Sequence, residues 1–122
     1  LQIFEMDFNK GEKCGGENLP DVKITVLKTS TADDIFGSYA HENCERTRDK
    51  YEEGDEFVVK HDDFRVPEGL CPSAWDSISG LVLTLMHGGG FEEGVWMEDE
   101  NIAISCFNDD LRPVFFRIER TD

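Results

Sequence analysis

The apolar residues Ala74, Trp75, Ile78, Leu81, Val82, Leu85 and Met86 recur every three or four positions. That is the spacing of one face of an α-helix. Pro72 suits its first turn, where the N–H that proline lacks would have no intrahelical acceptor. Gly88, Gly89 and Gly90 stop it, because glycine adopts the left-handed cap conformation without penalty. The spacing therefore predicts a helix from Cys71-Pro72 to the triple glycine. Gly80 weakens it by about 1 kcal/mol against alanine, unless it lets a strand approach closely. Leu83 falls off the stripe, which suggests burial on more than one side. No other stretch has so long a regular pattern, and the remaining elements are expected to pack on this helix.

Shorter runs of period two read as strands. From Val22 to Lys28, Val22, Ile24 and Val26 share one face while Lys23, Thr25 and Leu27 take the other. Glu56 to Lys60 follows a Gly54-Asp55 turn. Ile102 to Phe107 is predicted as a central strand, with Ile102, Ile104 and Cys106 on one face. Val114 to Glu119 closes the series, with Val114, Phe116 and Ile118 aligned. The turn-forming Asn108-Asp109-Asp110 joins the last two strands as a hairpin, and Pro113 restricts pairing where it falls. A short helix is predicted from Ala32 to Ala40, with Thr31 as N-cap and Asp34 completing an approximate capping box. Phe4, Met6 and Phe8 alternate with Glu5 and Asp7 as a short strand, and Asn9 to Pro20 reads as a loop. The order predicts an α+β fold, a mostly antiparallel sheet of about four strands packed against one long helix plus a short helix. Residues 1–20 form an N-terminal extension and residues 21–122 a single domain.

The 122 residues suffice for one domain with a real core. Acidic residues outnumber basic ones by 27 to 12, a net charge of −15. A nucleic-acid backbone or an anionic membrane would repel such a chain, so neither is expected as a partner. No apolar run approaches the roughly 18 residues of a membrane span. No basic segment followed by an apolar one marks a signal peptide, so a cytoplasmic location is expected. Cys14, Cys44, Cys71 and Cys106 permit disulfides. A domain of this size does not need them, and reduced thiols are expected.

Cys44, Cys71 and Cys106, with His41 or His61 as a fourth ligand, form a candidate soft-metal site for zinc or iron. Their spacing matches no zinc motif, and buried cysteine commonly packs as a small hydrophobe. Cys71 opens the predicted helix, where free N–H groups and the dipole favour a thiolate, so it is also a candidate nucleophile. His87 cannot be its base, since it lies about 24 Å further along the helix at roughly 1.5 Å per residue. His41 remains open in that role. Trp75, Trp96 and Arg112 are a candidate pocket for an organic anion. The competing reading puts Trp75 in the core and pairs Arg112 with Asp109 or Asp110. The acidic clusters lack the alternation of a calcium loop and read as solvated surface. Cys14 reads as an incidental exposed thiol.

The Val22-Lys23-Ile24-Thr25-Val26-Leu27-Lys28 strand, the Gly54-Asp55-Glu56-Phe57 turn, Cys71-Pro72-Ser73-Ala74-Trp75, Trp96 and Leu111-Arg112-Pro113-Val114-Phe115-Phe116-Arg117 together resemble a family of small uncharacterised prokaryotic proteins. The resemblance runs over about residues 21–120. It implies the architecture above and no activity. The chain departs from that family at Cys106-Phe107, where paired cysteines are common, and at Asp109-Asp110, where an Asp-Gly turn is usual. The expected function is a non-enzymatic accessory or binding module for an unknown protein or small molecule, forming a homo-oligomer through an exposed sheet edge. The alternatives are a cysteine-ligated metal or thiol redox protein, and a small enzyme with Cys71 as nucleophile.

Overall fold

Alternation along the strands decides which way the sheet faces. The computed structural model describes residues 19–43, 51–91, 96–107 and 112–121. In it β1 (Val22–Thr29), β2 (Glu56–Val59), β3 (Ile102–Phe107) and β4 (Val114–Arg120) form one sheet ordered β2-β1-β4-β3. Every neighbouring pair is antiparallel. Helices α1 (Asp33–Tyr39) and α2 (Pro72–Met86) complete the described elements. The class is α+β with a four-stranded antiparallel sheet. The strand predicted over Phe4 to Phe8 lies outside the described residues.

The core is the space between α2 and the inner face of the sheet. Val22, Ile24 and Val26 of β1, Val114, Phe116 and Ile118 of β4, Val59 of β2 and Ala103 and Phe107 of β3 are all buried there. Ala74, Ile78, Val82, Leu85 and Met86 of α2 meet them. Full burial of each larger aliphatic side chain contributes about 1.5–3 kcal/mol. Trp75 and Leu81 flank this stripe, half-buried. Leu83 is 45% exposed, so the helix is buried on one side and not on several. Gly80 admits no close strand either, because a Cβ added there would meet nothing within 4 Å.

The strand positions correct one expectation. Ile102–Phe107 is an edge strand, not a central one, and β4 takes the centre by pairing with both β1 and β3. The side chains give the reason. β4 turns Val114, Phe116 and Ile118 inward, all fully buried, whereas β3 offers the small Ala103 and Ser105 before Phe107. Ile102, Ile104 and Cys106 consequently lie on the outer face, and Cys106 is exposed instead of core-lining. Pro113 precedes β4, where no ladder N–H is needed, and its carbonyl accepts from Ser30 N at 3.0 Å. The β1–β4 register shifts between Val26 and Lys28, which leaves Leu27 as the extra residue of a bulge.

Thr31 is not the N-cap of α1. Ala32 occupies that position without a side-chain cap, and its carbonyl accepts from Phe36 N at 2.8 Å. Phe36, the buried residue of α1, fixes this frame and leaves Thr31 one residue too early to cap. Helix α2 ends as the glycines predicted: Gly88 has φ of +95°. Gly89 is required for another reason, since a Cβ there would come within 2.7 Å of Thr84 Cγ2.

Arg120, the last residue of β4, fastens that helix end. Its Nη1 donates to the carbonyls of Leu85 and Gly89, both at 2.7 Å. Its Nη2 donates to the Glu100 carbonyl and its Nε to Asn101 Oδ1 at 2.9 Å. One guanidinium thus adds donors at the negative end of α2, where the Leu85 carbonyl also accepts from Gly88 N at 3.3 Å, and holds the segment entering β3. We expect Arg120→Ala to lower stability by about 2–3 kcal/mol. Arg120→Lys should recover less than half of that, because an ammonium cannot present the planar fork. Urea midpoints at unchanged m-value provide the measure.

Candidate functional site

Cys71 and Trp75 share the first turn of α2. Cys71 is the N-cap of α2, and its Sγ accepts from Ala74 N at 3.4 Å. Its own N–H donates to Tyr51 Oη at 2.9 Å. The Tyr51 ring is buried edge-on against Phe57 and Phe116, with centroids 6.2 and 5.8 Å away. Cys71 is therefore tied to the core by the backbone and to its own helix by the sulfur. Trp75, in the same turn, packs on Phe64 with centroids 5.3 Å apart. Trp96 follows the other end of the helix, 51% exposed, edge-on to Phe91 at 5.3 Å. The two tryptophans thus belong to different aromatic pairs, and Arg112 sits half-buried just before β4.

Of the proposed metal ligands, Cys44 lies outside the described residues. His41 is exposed, and its Nδ1 accepts from Asn43 N at 3.0 Å. Cys106 is exposed on the outer face of β3, yet desolvation by its neighbours pushes its thiol above the ordinary range. Among the described residues no three His, Cys, Asp or Glu side chains come close enough to hold a metal ion.

Two polar groupings were not read from the sequence. The first is centred on Asp21. Its Oδ1 accepts from His61 N at 2.9 Å and lies 2.8 Å from His61 Nδ1. Lys60 Nζ is 3.7 Å from Oδ2. The Asp21 carbonyl accepts from both the N–H and the hydroxyl of Thr121, each at 2.9 Å. The backbone N–H of His61 and then its ring hold the Asp21 carboxyl below its ordinary range, against an opposing effect of burial that exceeds the further help of the Lys60 charge. Asp21 therefore pins the start of β1 to the ends of β2 and β4. Only the register reveals this cluster: with Val22 opposite Val59 and Arg120, Asp21 must fall beside Lys60, His61 and Thr121.

The second grouping lies on the outer face of the sheet. The register aligns Val58, Lys23, Glu119 and Ile102 in one row across the strands. Glu56, Thr25, Arg117 and Ile104 form the next row, and Lys28, Phe115 and Cys106 a third. Lys23 Nζ is 3.6 Å from Glu56 Oε2, and Arg117 Nε is 3.1 Å from Glu119 Oε1. The latter pair lacks hydrogen-bond geometry, so both atoms are buried without a hydrogen-bond partner. Thr25, only 6% exposed at the centre, also has a buried Oγ1 without a partner. The rim is apolar and open: Val58 is 46% exposed and Leu27 38%.

The Asp21 cluster gives a pH dependence with a defined sign. A carboxyl held below its ordinary pKa of 3.8 stabilises the fold above that value, and the contribution fades as pH falls through the folded-state pKa. Asp21→Asn should therefore be less stable than the parent at pH 6, with the gap narrowing steadily below about pH 4. Urea midpoints measured across that range check it. Comparison with protein-family models, curated proteins and solved structures finds no match to this chain.

Proposed function

We propose that this protein is a non-enzymatic binding module whose outer sheet face takes a polypeptide partner. The observation that carries the reading is the set of polar atoms at the centre of that face: Thr25 Oγ1, buried without a hydrogen bond, beside Arg117 Nε and Glu119 Oε1, which hold each other as an ion pair at 3.1 Å without a hydrogen bond. Leaving a buried hydroxyl such as that of Thr25 unpaired costs about 1–3 kcal/mol. These atoms have almost no accessible surface of their own, so a partner recovers that cost where its binding turns the surrounding side chains aside. Around the centre stand Leu27, Val58, Ile102, Ile104 and Phe115, all at least partly exposed. An apolar surround with a few convergent polar groups is the make-up of a protein interface.

Charge narrows the partner. Lys23, Lys28 and Arg117 share this face with Glu56 and Glu119, in a chain whose net charge is −15. The outer face is thus a place where a neutral or acidic polypeptide meets little of the repulsion that the rest of the surface exerts.

A photoreactive residue at Val58 should capture such a polypeptide in the cells of origin, and the same residue at the exposed Leu83 of α2 should not. The captured polypeptide, purified, should bind Thr25→Val and Arg117→Ala roughly tenfold or more weakly than the parent. Thr25→Val should fold at least as stably as the parent, because it deletes an unpaired hydroxyl. Equal capture from Leu83, or undiminished binding by both variants, would refute the reading.

A further inference from the structure

The outer edge of β3 carries an inference that does not depend on the partner of the outer face. The Arg120 N–H donates to the Asn101 carbonyl at 3.0 Å. In an antiparallel ladder, hydrogen-bonded pairs alternate with non-bonded ones. The bonded pairs after Asn101–Arg120 are then Ala103–Ile118, Ser105–Phe116 and Phe107–Val114. The N–H and C=O groups of Ile102, Ile104 and Cys106 consequently point away from β4, to the edge of the sheet. Ile102 N–H is already used, donating to the Asp99 carbonyl at 3.2 Å. Among the described residues nothing pairs with Ile104 and Cys106, each of which has a donor and an acceptor facing outward.

The two edges of the sheet differ in their protection. Strand β2 has four residues, carries Glu56, and runs into Lys60, which bridges back to Asp63. Strand β3 has six residues, Ile102 to Phe107, with no charge, proline or glycine among them. Lysine, proline, bulges and shortness are the devices that keep edge strands from pairing, and β3 has none of them.

We propose that β3 pairs antiparallel with β3 of a second copy of this chain, about a two-fold axis at Ser105. This register sets Ile104 against Cys106 of the second copy, and Cys106 against its Ile104. All the outward groups of those residues are then used in hydrogen bonds, and Ile102 N–H is not required. A register centred on Ile104 would instead set Cys106 against Ile102, whose N–H is taken. The Ser105 register also complements in size on the helix side, since it sets the small Ala103 against the large Phe107 of the other copy. Two four-stranded sheets become a continuous one, and the two outer faces join into a single surface. Two copies, each of charge −15, repel one another at long range. Screening confines that repulsion to about 8 Å at roughly physiological ionic strength, and β3 itself brings no charge to the axis. Added salt should therefore strengthen the pairing.

The test is sedimentation equilibrium of the full chain from micromolar to millimolar concentration at low and high salt. The expected result is a monomer of 13.9 kDa in reversible equilibrium with a dimer, shifted towards dimer by salt. Ile104→Lys and Cys106→Lys should each abolish the dimer while leaving the monomer folded by circular dichroism, because both side chains lie on the outer face. A variant in which Cys14, Cys44 and Cys71 are serine tests the register even if the lysine variants fail to fold. In the proposed pairing the two Cys106 residues are diagonal neighbours about 7–8 Å apart. That is too far for a direct disulfide but within reach of a short bismaleimide, which should link them in high yield. A chain that stays monomeric at millimolar concentration in high salt would overturn the proposal. So would a dimer that survives Ile104→Lys, or one that gives no Cys106 cross-link.

Discussion

Everything in this fold depends on burying one helical stripe against one face of one sheet. Ala74, Ile78, Val82, Leu85 and Met86 meet the inward residues of β1 and β4, and all five are buried. The contact fixes the direction of α2 along its length, and Arg120 fixes it at the end. That arginine belongs to the sheet, yet its donors go to the last carbonyls of the helix and to the segment entering β3. At the opposite end, Tyr51 ties the N-cap Cys71 to the core. Apolar burial supplies the stability, and the polar fastenings at each end select one orientation of helix on sheet.

Among the described residues α2 covers one face of the sheet and leaves the other open. On the covered face every central side chain is apolar. On the open face the centre holds Thr25, Arg117 and Glu119, whose buried polar atoms have no hydrogen-bond partner. The same economy leaves β3 at an edge without the charges or prolines that discourage pairing. A domain of this size has few elements with which to cover its own surfaces.

Periodicity made the covered face legible. The helix stripe, the inward trio of β1 and the inward trio of β4 are each visible as runs of period 3.6 or 2, and the structure places them together. The order of the strands was not legible, because Ile102, Ile104 and Cys106 alternate as convincingly as any core strand. Only the smaller inner face of β3, Ala103 and Ser105, distinguishes an edge from a centre, and that signal is faint. The Asp21 cluster was hidden for a different reason. Its members meet through the register of three strand ends, and no local spacing in the chain announces it. Thr25 looked like an ordinary outward residue until the flanking strands were placed around it. Cysteines drew attention in the sequence because of their chemistry, whereas in the fold Cys71 serves as a helix cap and Cys106 stands on the open face.

Residue-resolved amide hydrogen exchange on dilute, monomeric protein tests the central claim most directly, that β4 is central and that β3, among the described residues, is an edge without a second neighbour. The account predicts the slowest exchange in β1 and β4. Within β3 it predicts alternation, with Ala103, Ser105 and Phe107 protected and Ile104 and Cys106 exchanging fast. Uniform protection along β3, or faster exchange in β4 than in β3, would contradict the strand order and, with it, both the open face and the bare edge.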